Sequence, residues 1–205
     1  MVVSHPLLPL IRLYTSAGTA SPPLAALVAR LPAGSRGPIV GLDVGTRYVG
    51  VAVSDPSRRW AFPHSAYRRS TPPADASTLS ALLASSAAVA VVAGYPIPTP
   101  GGVSLAADVD AYVTALVMSG LGGGGGERGG SGRLRAVALA DERWSSMRAR
   151  EALGVGVGTG RGGRGGGWRT WRGGVRRAKE AVDATAAAVI LQDVLNVLPP
   201  DPDIN

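Results

Sequence analysis

The sequence predicts an α/β fold in which a mixed five-stranded sheet is flanked by helices. Short apolar or alternating segments, typical of strands, are followed by segments in which apolar residues recur at helical spacing. The first two strands are joined by a tight turn, whereas the later strands alternate with helices. A hairpin followed by βα units produces a sheet with both antiparallel and parallel pairs. The length of 205 residues suits one domain of ordinary size.

Five segments are predicted to be strands. Gly45, Thr46 and Arg47 turn the chain from the first strand into the second. Pro63 interrupts the third, which indicates an edge strand, and Trp60 at its start is expected to pack against the core. The last two are continuously apolar, as strands buried on both faces are. The predicted strands are residues 38–43, 48–54, 60–67, 89–93 and 134–140.

Four helices are predicted between and after the strands. In the first, Leu79, Leu82 and Leu83 have helical spacing. Ser145 or Ser146 is expected to cap the third helix, and the fourth is long and rich in alanine. The predicted helices are residues 75–86, 105–118, 145–153 and 176–198.

Glycine is concentrated in residues 120–132 and 154–174, which hold 20 of the 29 glycines. Ordering glycine costs much backbone entropy, so neither stretch is expected to maintain a helix or strand. We interpret both as flexible insertions in one domain, residues 37–198, which is followed by a tail, residues 199–205.

Residues 1–36 are predicted to be an N-terminal extension or a transit peptide. The first 42 residues contain arginines and hydroxyl side chains but no Asp or Glu, which is typical of organelle targeting. The alternative is a short helical extension, because Leu7, Leu8 and Ile11 have helical spacing. A transit peptide implies a chloroplast or mitochondrion, and without one the expected compartment is the cytoplasm.

The net charge of +7 comes from arginine, since 20 of the 21 basic residues are Arg and the exception is Lys179. Arginine makes bidentate phosphate contacts, which indicates a polyanionic partner; codon bias in a GC-rich genome is the alternative explanation. The absence of cysteine excludes disulfides and Cys-based metal sites. No apolar run reaches the roughly 18 residues of a membrane helix, so no membrane partner is expected.

A few acidic residues lie where a metal site would need them. Asp43 ends the first strand, and Asp183 lies early in the final helix. Asp141 and Glu142 follow the last strand. If the first and last strands are neighbours, these carboxylates converge and their repulsion requires a cation. Hard oxygen ligands select Mg²⁺ or Mn²⁺, which can promote phosphodiester cleavage by water. Taken singly, each residue is more simply explained as a solvated strand end or a helix cap.

Four blocks of sequence carry a family resemblance. They are GLDVGTRYVGVAVSDP at 41–56, VAGYPI at 92–97, DERWSS at 141–146 and KEAVDATAAAVILQ at 179–192. In this order they resemble the YqgF-type family of Holliday junction resolvase-like proteins and pre-16S rRNA nucleases, in its plant or algal form. One block alone is weakly specific, but the four together span most of the domain outside the insertions.

The resemblance implies a ribonuclease H-like fold with an acidic site for Mg²⁺ or Mn²⁺. Carried over residue by residue, the catalytic ligands would be Asp43, Glu142 and Asp183. Asp141 is a further candidate ligand, but strand alternation would direct only one of Asp141 and Glu142 inward, and the resemblance favours Glu142. The turn and cleft beside the site would be formed by Gly45, Thr46, Gly94 and Pro96.

Basic and aromatic residues are expected to bind nucleic acid. Arginine with interleaved tryptophan suits phosphate contacts and stacking of unpaired bases, and low-complexity drift is the alternative. The candidates are Arg47, Arg143, Arg164, Trp168, Arg169, Trp171, Arg172, Arg176, Arg177 and Lys179. The family usually has an Asn-x-Asp-Gly stretch after its G-x-P segment, whereas residues 98–102 here have neither side chain.

The resemblance therefore implies a metal-dependent endonuclease that processes the 5′ end of a ribosomal RNA precursor of the pre-16S type. The alternatives are a Holliday junction resolvase-like DNA nuclease and a nucleic-acid-binding factor without turnover. The expected partners are structured RNA or branched DNA, with ribosomal particles as a further partner, and the protein is expected to be a monomer or a homodimer. A sugar-kinase or actin-type ATPase would need a longer chain.

Overall fold

A computed structural model of the chain describes residues 10–13, 31, 37–96, 105–121, 134, 136–141, 152 and 168–198, and for residues 10–13, 141 and 168–177 it describes the backbone alone. The strands in these ranges are β1 (Leu10–Leu13), β2 (Ile39–Val44), β3 (Tyr48–Ser54), β4 (Ala61–Arg68), β5 (Ala90–Tyr95) and β6 (Ala136–Asp141). The helices are α1 (Pro72–Ser86), α2 (Ala106–Met118) and α3 (Trp168–Leu195). None of these helices is long and apolar enough to cross a membrane.

The strands form one mixed sheet in the order β1-β6-β5-β2-β3-β4. Neighbours from β1 to β2 are parallel, whereas β2, β3 and β4 are antiparallel. The mixed sheet and its five predicted strands are therefore confirmed. Leu7 and Leu8 lie outside the described residues. At Ile11 the helical alternative is wrong, because this residue belongs to the short sixth strand, β1. Pairing with β6 satisfies its backbone, and local residue spacing cannot reveal that pairing.

β5 lies between β2 and β6 in the sheet. The expectation that the carboxylates of the first and last predicted strands end neighbouring strands is therefore wrong. Strands are about 4.8 Å apart, so the ends of β2 and β6 are separated by roughly 10 Å. Strand order depends on the path of each crossover, which residue patterns do not encode. Three of the four parallel strands, β2, β5 and β6, carry the site at the edge where they end, with Val44, Tyr95 and Asp141 as their last residues.

Alternation along β2 divides its residues between two cores. Val40, Leu42 and Val44 pack with the layer formed by α1 and α2. Ile39 packs on the other face, which α3 covers. Asp43 has the same parity as Ile39 and therefore lies on the α3 side of the sheet. The packing surface of α3 is formed by Ala187, Ala188, Ile190, Leu191, Val194 and Leu195.

α3 lies in backbone contact with the sheet at two glycines. A Cβ atom placed on Gly41 would lie 2.9 Å from the carbonyl oxygen of Ala187, and one on Gly50 would lie 1.9 Å from that of Asp183. No side chain fits either gap, so both positions require glycine. The contact at Gly50 sets the height of Asp183 above the sheet.

α3 begins at Trp168 rather than at residue 176 and ends at Leu195. The expectation that glycine prevents helix formation over residues 168–174 is wrong, because extending an existing helix costs less than nucleating one. The predicted helix at 145–153 lies outside the described residues except for Ala152, which is helical. The insertion residues 122–132 and 154–167 also lie outside them.

β4 forms one edge of the described sheet. It contains Pro63, and its pairing with β3 changes register between Val51 and Ala52. Trp60, just before the strand, is 64% exposed, and Phe62 is 56% exposed. The expectation that Trp60 packs against the core is therefore wrong, because side chains along an edge strand are open to solvent on one side.

We expect Gly50→Ala to lower the free energy of unfolding by roughly 3 kcal/mol or more, because the added methyl group would overlap the α3 backbone. The matched control is Gly120→Ala. Gly120 has a φ of +88° and open space at its Cβ position, so alanine there should cost about 1–2 kcal/mol from backbone conformation alone. Urea denaturation measures both variants, and equal losses would contradict the backbone contact.

Candidate functional site

Asp43 lies one residue before the end of β2, on the side of the sheet that α3 covers. Its side chain is largely buried. Burial, and next the charge of Asp183, raise the pKa of Asp43 from 3.8 to about 6, while Lys179 acts in the opposite direction. Asp43 pairs with Gly50 of β3, which α3 touches at Asp183, and the Asp183 charge disfavours the charged form of Asp43.

Asp183 lies on α3 at the point where helix and sheet touch at Gly50. The Lys179 ammonium, four residues earlier on the helix, donates to the two Asp183 carboxylate oxygens at 3.0 and 2.8 Å. The same ammonium lies 5.2 Å from the centre of the Tyr48 ring. Lys179 therefore supplies a positive charge between β3 and the two carboxylates.

The donor set suits a hard divalent cation. Two carboxylates and one ammonium leave a net negative charge, and carboxylate oxygens are ligands that Mg²⁺ and Mn²⁺ prefer. Within the ranges given above, no three His, Cys, Asp or Glu residues form a group that could hold a metal. Asp43 and Asp183 would therefore need a further donor. Glu142, the predicted third ligand, lies outside the described residues.

Asp141 is the last residue of β6 and pairs with Tyr95 of β5. Ala138 and Ala140 pack in the core below α3. Because successive strand residues alternate, Asp141 occupies a position of the opposite face. Alternation therefore argues against Asp141 as a partner of Asp43, and the preference for Glu142 stays a prediction.

The turn after β2 lies beside the first carboxylate. The Gly45 N–H donates to the Tyr48 carbonyl oxygen at 3.0 Å and closes the turn. Thr46 and Arg47 are exposed at its tip. Gly94 is buried near the end of the neighbouring strand β5. The turn and cleft residues therefore lie at the edge of the sheet where the acidic pair lies.

The structure describes the other predicted site residues to different extents. Pro96 directly follows β5, whereas Arg143 and Arg164 lie outside the described residues. The backbone alone is described for six of the predicted residues, all on α3: Trp168, Arg169, Trp171, Arg172, Arg176 and Arg177.

Two basic features are not evident from the motifs. The sequence predicts that Lys179 binds nucleic acid, but the structure also pairs it with Asp183, and the four-residue spacing on a helix was the available signal. Arg68 is exposed and lies opposite Tyr48 in the β3–β4 pair, which places it on the α3 side near the acidic pair. Local sequence does not distinguish Arg68 from the other arginines.

Comparison with known proteins identifies similar sequences over most of the chain. The profile of the RuvX family, described as Holliday junction resolvase, matches residues 37–197. A relative from Salinibacter ruber, named "Putative pre-16S rRNA nuclease", is 36% identical over 159 residues, covering 77% of this chain and 92% of the relative. A protein of the same name from Sphingopyxis alaskensis is 32% identical over 183 residues, covering 88% and 97%. Among solved structures, Thermus thermophilus RuvC in complex with a Holliday junction substrate covers 80% of this chain and 99% of that chain, with 13% identity and a TM-score of 0.42.

We expect Asp43→Asn to be more stable than the parent protein at pH 8 without divalent metal, by roughly 3 kcal/mol. A carboxyl group whose pKa rises from 3.8 to about 6 on folding costs stability once it is ionised. This cost is present above about pH 6, shrinks as the pH falls and is absent below the unfolded value. Urea denaturation in chelator at acidic and alkaline pH measures the difference.

Asp55→Asn is a control of opposite sign. Burial opposes the charge of Asp55, but hydrogen bonds from the Ser57 side chain and from the backbones of Trp60, Arg59 and Ser57 outweigh it and lower the pKa. Its charge therefore adds stability above the unfolded pKa, and this is lost as the pH falls, so Asp55→Asn should be less stable than the parent at pH 8. Equal stability of Asp43→Asn and the parent at pH 8 would contradict the electrostatics of the acidic pair.

Proposed function

Because the chain belongs to the RuvX family, described as Holliday junction resolvase, we propose that it is a metal-dependent phosphodiester endonuclease that processes a ribosomal RNA precursor. The observation that carries the proposal is the position of Asp43 beside Asp183: Asp43 pairs with Gly50 of β3, and α3 touches Gly50 at the Asp183 backbone. The name "Putative pre-16S rRNA nuclease" of its relatives supports a 16S rRNA precursor as the substrate. We propose the 5′ end of this precursor as the target, as the family resemblance implies.

We propose Mg²⁺ or Mn²⁺ as the cofactor. Asp43 and Asp183 would hold the cation. Glu142 is the proposed third ligand, because the family resemblance favours it and because Asp141 occupies a position on the opposite face of β6. When bound, the cation supplies a positive charge that activates water and stabilises the leaving oxygen. The raised pKa of Asp43 supports this proposal, since burial and the charge of Asp183 both disfavour the carboxylate and a bound cation would favour it.

The basic residues at this edge would bind the phosphate backbone of the substrate. Arg47 is exposed on the turn beside Asp43, and Arg68 is exposed on β4 next to Tyr48. Lys179 lies on α3, where its ammonium contacts the Asp183 carboxylate and lies over the Tyr48 ring. Together they provide three positive charges around two carboxylates, which suits a polyanion that must approach a negative site. These side chains orient the substrate, and the acidic pair holds the reacting centre.

A Holliday junction is the second candidate substrate, because the family description names it. A junction resolvase cuts two symmetric strands and would need two copies of the site, hence a dimer. A nuclease acting on one RNA strand can be a monomer. Both the oligomeric state and the substrate preference therefore distinguish a junction resolvase from an RNA nuclease.

For the compartment, we propose a chloroplast or mitochondrion, with the cytoplasm as the alternative. The acid-free N-terminal sequence supports a transit peptide. β1 lies within this segment and pairs with β6, so removal of residues 1–36 would leave β6 at the edge of the described sheet.

We expect the purified protein to cleave a labelled pre-16S rRNA fragment with Mg²⁺ or Mn²⁺ and to prefer it to a four-way DNA junction. Asp43→Asn and Asp183→Asn should each lower kcat by roughly a hundredfold or more, because each removes a charge at the reacting centre. Asp193→Asn is the matched control, since Asp193 lies ten residues after Asp183 on α3, about 15 Å along the helix.

Cleavage retained by Asp43→Asn would contradict the proposed site. Preference for the junction would select the resolvase function. Binding of RNA without cleavage by the parent protein would indicate the non-catalytic factor.

We expect Lys179→Met to bind Mn²⁺ about threefold more tightly than the parent, because the ammonium no longer competes for Asp183. Arg68→Met is the comparison variant: it removes a charge at the same edge, but no contact joins Arg68 to Asp183 among the hydrogen bonds and ion pairs described here. Its Mn²⁺ affinity should match the parent. Calorimetric titration without nucleic acid measures all three proteins, and weaker binding by Lys179→Met would contradict competition.

A further inference from the structure

We propose that Arg69 is a positioning residue that fixes the turn after Asp43 and thereby holds the Asp43 carboxylate in place. Arg69 follows β4 and approaches the turn from the α1–α2 side of the sheet, opposite α3. This inference rests on the proposed function only where it concerns turnover. Its structural part concerns the backbone of residues 45–47 and is measurable without a substrate.

Two hydrogen bonds join Arg69 to the turn. Its Nη1 donates to the Gly45 carbonyl oxygen at 3.0 Å, and its backbone N–H donates to the Arg47 carbonyl oxygen at 2.9 Å. The turn is also closed internally by the bond from Gly45 to Tyr48. Gly45 is two residues beyond Asp43, so a shift of the turn would move the end of β2. Arg69 therefore anchors the turn through both its side chain and its main chain.

The Arg69 side chain is itself held in one orientation. Its Nη1 and Nη2 atoms donate to the two Asp108 carboxylate oxygens at 2.6 and 3.4 Å. The guanidinium carbon lies 4.1 Å from the centre of the Tyr112 ring. A planar group with five N–H donors can satisfy Asp108, Gly45 and the ring face together, whereas the compact ammonium of lysine cannot. The arrangement is specific for arginine.

The buried carboxylate of Asp75 holds the Tyr112 ring against which the Arg69 side chain packs. Asp75 of α1 is 3% exposed and accepts hydrogen bonds from the Tyr112 hydroxyl at 2.8 Å and from the Ser70 N–H at 3.1 Å. The Tyr112 hydroxyl also lies 3.2 Å from that of Tyr67. A buried carboxylate keeps such partners because leaving it unpaired is costly. The network therefore connects α1, α2 and β4 to the turn beside Asp43.

General stability does not explain this arrangement well. The Arg69 and Asp108 side chains are 17% and 45% exposed, and pairs of that kind contribute about 1 kcal/mol or less. The contacts converge on the backbone beside one carboxylate, as outer-shell partners of metal ligands do, and loss of such partners typically costs about 10–100-fold in metal affinity or activity.

The test compares Arg69→Met, Arg69→Lys and Asp108→Asn with the parent. Arg59→Met is the control, because Arg59 is exposed and its described hydrogen bonds are made by its backbone. Hydrogen exchange is measured at the Gly45 and Arg69 amides and in β5. Mn²⁺ affinity is measured by titration, and kcat and KM by cleavage of the rRNA fragment.

We expect Arg69→Met to speed exchange at Gly45 and Arg69 about tenfold without changing β5. It should also weaken Mn²⁺ binding and lower kcat roughly tenfold at unchanged KM. Arg69→Lys should recover only part of the loss, and Asp108→Asn should fall between Arg69→Met and the parent.

Two results would overturn the proposal: Arg69→Met indistinguishable from Arg59→Met, or faster exchange spread equally over the turn and β5. If no protein cleaves RNA, including the parent, the proposed function fails, while exchange and Mn²⁺ binding still decide the role of Arg69.

Discussion

At Gly50 the backbone of α3 lies so close to β3 that a methyl group would collide with the Asp183 carbonyl. Much of the site depends on this contact. It places the Asp183 side chain beside the end of β2, and it lowers Lys179 onto the ring of Tyr48. The second contact, at Gly41, fixes the angle of the helix across the sheet, and the alanine-rich face of α3 allows both. A bulkier helix surface would hold the two carboxylates farther apart.

The fold brings two carboxylates and one ammonium group close together at the site. Asp43 is carried by a strand and Asp183 by a helix, and burial prevents water from screening them. Lys179 offsets part of the repulsion. On the other side of the sheet, Arg69 holds the adjacent turn by its carbonyl groups. Asp43 therefore lies between α3, which carries Asp183 and Lys179, and the Arg69 network, which restrains the turn that follows Asp43.

Residue patterns predict the parts of this structure that depend on neighbours in sequence. Apolar alternation identifies β2, β3, β5 and β6, and the family-like blocks point to Asp43 and Asp183. The insertion of β5 between β2 and β6 is not predictable in this way, because it arises from chain crossovers. The Arg69 network joins residues 24 and 39 positions apart, and no periodicity links them. Glycine content does not predict the early start of α3, because the long helix that follows makes helix formation by residues 168–174 a matter of extension and not of nucleation.

The edge of the sheet formed by β4 limits how copies of this protein can associate. Pro63 offers no N–H to a neighbouring strand, and the register shift opposite Val51 and Ala52 bends β4 away from a straight template. Both features disfavour continuous extension of the sheet by the joining of two β4 strands. At the high local concentrations that follow synthesis, this edge therefore disfavours the strand-by-strand growth that leads to fibrils.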